Sequence, residues 1–225
     1  KTAYEIKECD WSSDVCSSDL GFREYQAGGG ASPTYAQSAR RIAATYGTAI
    51  YFGDPVVPVT GTANGYIQRA TSDATTVLAG IFVGCQYLSV SQKRTIWSNY
   101  FPAADVNPAQ DVIAYVIDSP NSRFLVQTNG SAFFNATATP SVIGGLPIGQ
   151  YATFNLGTGN SATGISGAYL DAVNTTAADP FIILDYVFFP PGANGTDPST
   201  NYPYVVVGFN NEILRTNGAG PTGIS

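Results

Sequence analysis

Chemistry in this chain would have to come from lysine or from carboxylates. Glycoside hydrolysis needs two of them roughly 5–9.5 Å apart, and the sequence offers two candidate pairs, Asp105 with Asp111 and Asp171 with Asp185. All four fall in turns or at the edges of apolar runs, where aspartate commonly accepts local backbone hydrogen bonds, so the structural reading is preferred. Histidine is absent, which removes the commonest general base near neutral pH and the commonest nitrogen ligand for zinc, copper or iron. The serines of Gly159–Gly167 (GNSATGISG) do not form GxSxG, and no serine triad can be completed without histidine. No GxGxxG follows a strand signal, no GxxxxGK[ST] occurs, and the triplet Gly28, Gly29 and Gly30 precedes any strand signal. A cation site built from loop Asp and Asn oxygens has no supporting spacing. The expectation is a protein with no catalytic residues, cofactor or metal.

The elements that would hold such residues are short strands. From Thr48 onward, apolar stretches alternate with Gly, Pro, Asn and Asp turns: Ala49–Phe52, Val56–Val59, Tyr66–Arg69, Val77–Tyr87, Thr95–Phe101, Val112–Ile117, Ser122–Gln127, Tyr151–Asn155, Gly167–Leu170, Phe181–Phe189 and Tyr204–Phe209. Turn signals every ten or so residues with no long helical pattern predict an all-β fold, a small β-barrel or sandwich. Gly80 and Gly84 inside the most apolar run suggest a bent strand. Gly21–Pro33 reads as an extended N-terminal arm. Ala36, Ala39, Ile42 and Ala43 leave a short helix over Thr34–Thr45 open against a continued arm. The expected organisation is an arm over 21–47, a first barrel-like domain over 48–128 and a second β-rich domain over 129–225, with a long loop over 190–203.

The chain carries ten basic and sixteen acidic residues, a net charge of −6, and only 12% charged residues. The basic residues are scattered, so no phosphate-tracking patch forms and direct nucleic-acid binding is not expected. No apolar run reaches the roughly 18 residues needed to span a bilayer as a helix, and no membrane partner is expected. A surface this poor in charge is covered by a partner at low desolvation cost. Fourteen tyrosines and twelve phenylalanines exceed what a small barrel core requires, and exposed aromatic rings supply contact area at low entropic cost. The candidate interface residues are Gly28, Gly29 and Gly30 of the arm with Trp97, Tyr100, Phe101, Tyr186, Phe188 and Phe189. Core and barrel rim are the alternative places for those rings.

Residues 1–20 differ sharply from the rest, with two of the three cysteines and five of the sixteen acidic residues. Cys9 and Cys16 are separated by six intervening residues, which matches no short zinc or redox motif. The string DWSSDVCSSDL from Asp10 to Leu20 resembles a translated sequencing adapter. That resemblance implies that native sequence begins near Gly21, after a missing start, and that Cys85 is the one native cysteine.

From Tyr46 onward, YGTAIYFGDPVVPVTGTANGYIQRATSDATTVLAGIFVGCQY resembles a virion protein family of tailed bacteriophages. The resemblance rests on Gly53-Asp54-Pro55-Val56, Arg69-Ala70 and Leu78–Cys85. Ala114–Gln127, the Thr163–Gly167 turn before Leu170-Asp171, and Ile182–Asn211 extend it. It implies a structural protein of the phage head that decorates and braces the capsid exterior. The implied partners are the major capsid protein or other virion proteins, and the implied state is a homo-oligomer, a trimer first. The alternatives are a tail or head-fibre component and a carbohydrate-binding or carbohydrate-processing virion protein.

Overall fold

The computed structural model describes residues 21–26, 36–61, 65–72, 76–129, 133, 144–187 and 202–214. These residues form an all-β protein with two antiparallel sheets. In chain order the strands are β1 (Arg23–Gln26), β2 (Ser38–Ile42), β3 (Pro55–Pro58), β4 (Ile67–Arg69), β5 (Gly80–Leu88) and β6 (Thr95–Ser98). They continue as β7 (Val112–Ile117), β8 (Arg123–Gln127), β9 (Tyr151–Asn155), β10 (Tyr169–Asn174), β11 (Phe181–Tyr186) and β12 (Tyr204–Phe209). One sheet runs β2-β7-β5-β3-β4, with β6 also paired to β5; the other runs β1-β8-β12-β11-β9-β10.

Alternation decides which face of each strand is buried. In β7, Val112, Ala114 and Val116 are fully buried while Ile113 is 43% exposed. The buried set packs with Phe82, Cys85 and Tyr87 of β5, Ile42 of β2, Val56 of β3 and Ile67 of β4, and the connecting segments add Ile50, Phe101 and Val106. The terminal strands β2 and β4 approach each other, so the sheet curls around this core. Phe82 and Cys85 are three residues apart yet share the inner face, because a bulge between Phe82 and Gly84 inserts one residue opposite β7. At the start of β5, Gly80 adopts φ +139°, and a Cβ there would stand 2.6 Å from the Ile117 carbonyl oxygen. Only glycine fits this close approach.

The second sheet curls likewise, with a parallel bridge between Thr128 and Leu170 drawing β10 towards β8. Its core is built on phenylalanines. Phe181 stacks on Phe22 at 4.5 Å and on Phe209 at 6.1 Å between centroids, and meets Phe154 edge-on at 5.8 Å. Ile81, Val83 and Ile117 of the first sheet pack into this same core. They join the two lobes through apolar contact.

Three expectations change. The start of the expected arm is a strand: Arg23–Gln26 pairs with β8, and Phe22 and Glu24 are buried. The open helix over 34–45 is replaced, among its described residues, by β2, which pairs with β7. β8 belongs to the second sheet through β12, so the chain changes sheets between Ile117 and Arg123. The first sheet is therefore residues 38–117, and the second combines β1 with β8–β12. The loop 190–203 falls mainly outside the described residues.

Candidate functional site

The outer face of the first sheet is where side chains remain available. Strand register sets a row across it, Arg41 opposite Ile113, Ile113 opposite Gln86, and Gln86 opposite Trp97. Ile113 is 43% exposed and Trp97 60% exposed. A second row places Ala39, Tyr115 and Gly84 side by side. Gly84 shapes the indole's position, since a Cβ there would stand 2.9 Å from Trp97 Cζ2. The ring lies directly against the glycine backbone with its other side open to solvent. An exposed tryptophan held this way is a preformed apolar platform.

Beside the indole an open groove of about 530 Å³ is lined by Arg23, Gln37, Phe52, Val83, Trp97, Asn99 and Ile165. Its position follows from the meeting of the two lobes. β1 brings Arg23, the bulge of β5 brings Val83, and the segment 160–166 brings Ile165. That segment is fastened on three sides. Phe52 N–H donates to Gly164 O and Ser166 N–H to Phe52 O, each at 2.9 Å. Asn99 Nδ2 donates to Thr163 O at 2.7 Å, and Asn160 Oδ1 accepts from Ala162 N–H.

Ser166 also ties the groove wall to a buried ion pair. Asp54, fully buried, accepts from Ser166 Oγ at 2.6 Å, Arg69 Nε at 2.8 Å and Tyr51 N–H at 2.8 Å. The Arg69 guanidinium lies 5.7 Å from the Tyr51 ring centroid, and Tyr51 stacks on Tyr100 at 5.7 Å with 7° between planes. Burial pushes the Asp54 carboxyl above its ordinary range, against the pull of Arg69 and of the Ser166 and Tyr51 donors. The Gly53-Asp54-Pro55 turn thus anchors the structure from inside.

No family model, curated protein or solved structure matches this chain. The candidate site consequently rests on geometry.

Of the expected interface residues, Trp97 is exposed and Tyr100 half-buried against Tyr51. Phe101 and Tyr186 are corrections. Phe101 is fully buried through a backbone bridge to Ile50, and Tyr186 is 4% exposed with its hydroxyl donating to Phe133 O at 2.8 Å. Gly28, Gly29, Gly30, Phe188 and Phe189 lie outside the described residues.

Asp105 and Asp111 are each engaged in hydrogen bonds of their own, and Asp171 and Asp185 stand apart. Asp105 accepts from Ser89 Oγ and Ser91 N–H, and these bonds hold its pKa below the ordinary carboxylate value. Asp111 accepts from the Tyr66 hydroxyl at 2.8 Å, which raises the tyrosine's pKa. Asp171 and Asp185 lie on β10 and β11, which flank β9 on opposite sides, and they run in opposite directions from the shared row at Ala152. Two residues one way and four the other at about 3.3 Å each, across two strand spacings of about 4.8 Å, put them roughly 20 Å apart, well beyond glycosidase spacing. Among the described residues no group of three or more His, Cys, Asp or Glu could hold a metal, and no helix is long and apolar enough to cross a membrane.

Sequence reasoning missed Ile113, Tyr115, Asn99, Gln37 and Arg23. Alternation in Val112–Ile117 carried a signal for Ile113 and Tyr115, whereas the groove residues meet only through tertiary packing.

Proposed function

We propose that this chain is a structural protein of a phage particle that docks on other virion protein surfaces, with capsid decoration as its role. The carrying observation is the outer face of β2 and β7, where Ala39, Arg41 and Ile113 are exposed beside half-buried Tyr115 on a sheet supported by a fully buried core. Removing such apolar area from water yields about 25 cal/mol per Å². Many weak copies on a closed lattice can brace a shell that one contact would not hold. The sequence resemblance supplies the setting, a phage head with the major capsid protein beneath, and the chain acts as a homo-oligomer, a trimer first. No catalytic role is assigned.

The test is the position and copy number of the protein in an electron-microscopy map of the intact virion. Density repeating over every capsomer is expected. Confinement to the tail or one vertex would make it a tail or head-fibre component, and absence from purified particles would remove the proposal. Ile113→Asp should leave folding intact and lower particle occupancy by at least about tenfold, as expected when a charge is placed in a desolvated contact.

A further inference from the structure

We propose that the groove beside Trp97 binds a neutral saccharide. A pyranose ring presents a flat apolar face of C–H bonds and a rim of hydroxyls that both donate and accept hydrogen bonds. The groove is arranged for both. The Trp97 indole, 60% exposed and seated on Gly84, offers the flat face. Val83, Phe52 and Ile165 line its apolar part, while Gln37 and Asn99 contribute side-chain amides, groups that pair with hydroxyls in either sense. Gln86, across the sheet from Trp97, places a third amide on the same face.

Charge and size narrow the ligand. Among the described residues the lining has no carboxylate and one guanidinium, that of Arg23, and the whole chain carries −6. A nucleic acid could stack a base on the indole, but its phosphates need a basic track, and the described lining offers Arg23 alone. A volume of about 530 Å³ falls within the roughly 300–1,000 Å³ of small-ligand sites, whereas a stable protein interface covers about 800 Å² on each partner. Rigidity favours recognition too. The wall residue Ile165 sits between Gly164 and Ser166, both hydrogen-bonded to Phe52, and Ser166 is further fixed by buried Asp54. Little ordering cost remains to be met on binding. The groove adjoins the β2 and β7 docking face, since Gln86 lies beside Ile113, but sugar binding needs no contact that docking makes.

The experiment uses the full chain with Trp11→Phe, which leaves Trp97 as the sole tryptophan. Its emission is followed during titration with neutral oligosaccharides of hexose, N-acetylhexosamine and deoxyhexose units at up to millimolar concentration, with calorimetry alongside. At least one is expected to bind and change the emission. Trp97→Ala, read by calorimetry, should weaken binding by roughly ten- to hundredfold, and Gln37→Ala, an exposed substitution at the groove rim, by about threefold to tenfold. Absence of binding across the panel overturns the proposal. So does binding that survives Trp97→Ala unchanged, or a proline-rich peptide binding where no sugar does. Because the readout is a sugar titration on isolated protein, its failure leaves virion docking standing, and absence from particles leaves the groove standing.

Discussion

Replacing Arg69 by Met removes the guanidinium from a carboxylate that has no exposed surface. Asp54 would keep only Ser166 Oγ and the Tyr51 N–H as donors. Breaking a buried pair from one side costs about 3–5 kcal/mol because the remaining charge stays desolvated; loss of the contact with the Tyr51 ring adds about 0.5–2 kcal/mol. For a chain of this size each kcal/mol moves the thermal midpoint by roughly 2–4 °C, so the pair alone predicts a drop of about 6–20 °C at neutral pH. The pH dependence has a definite sign. Burial already raises the folded-state pKa of Asp54 above its value of 3.8, so between that value and the raised one the native state holds more protons than the unfolded state. There, Asp54's contribution to stability falls as pH rises. Without Arg69 the folded pKa climbs further, and the variant should recover stability on acidification starting at a higher pH than the parent. Adding Asp54→Asn to Arg69→Met should restore part of the loss, since no ionised group is then buried. Denaturant melts of the parent, Arg69→Met, Asp54→Asn and the double variant across acid to neutral pH give the coupling directly. An Arg69→Met variant within about 1 kcal/mol of the parent, or one with an unchanged pH profile, would refute the reasoning.

Gly80→Ala forces a Cβ against the Ile117 carbonyl at φ +139° and should cost about 1–3 kcal/mol, seen as a lower thermal midpoint with the outer face unaltered. Phe181→Ala opens a cavity among Phe22, Phe154 and Phe209 and should cost about 3–5 kcal/mol, with loss of near-ultraviolet dichroism as a second readout. Burial pushes the Cys85 thiol up to about 12, so in a Cys9→Ser/Cys16→Ser background a thiol reagent at mildly alkaline pH should react only in denaturant. Rapid modification of the folded protein would contradict the buried position of Cys85.

The strands whose neighbours in sequence also set their environment were legible. Val112–Ile117, Tyr151–Asn155 and Tyr204–Phe209 alternate or run apolar between turn residues, and the structure places β7, β9 and β12 at those bounds. β2 was ambiguous because its inward side chains are not all apolar. Arg40 reaches Asp118 at 2.6 Å and Ser38 bonds the same carboxylate, which hides the period of two. In β1 the following glycines masked a strand whose partner, β8, is nearly a hundred residues away. The aromatic rings show the same limit. Trp97 and Phe101 occupy neighbouring segments of similar composition, yet one rests on a glycine in solvent and the other is drawn inside by its bridge to Ile50. No local pattern distinguishes them, because the deciding contacts are distant in sequence.

The position of β12 orders events during synthesis. The first sheet is contiguous in sequence and can close once Ile117 has emerged. The second cannot, because β12, the last of the described strands, lies between β8 and β11 and completes the ladder from the β1–β8 pair to the β9–β11 block. Until residue 209 leaves the ribosome, Ile81, Val83 and Ile117 lack the part of their core that Val205, Val207 and Phe209 supply, and β8 presents an unpaired edge beside them. Exposed apolar surface next to an open strand edge is the condition under which nascent β proteins associate wrongly. Truncations that end before Tyr204 should therefore aggregate even though an intact first sheet is encoded in full.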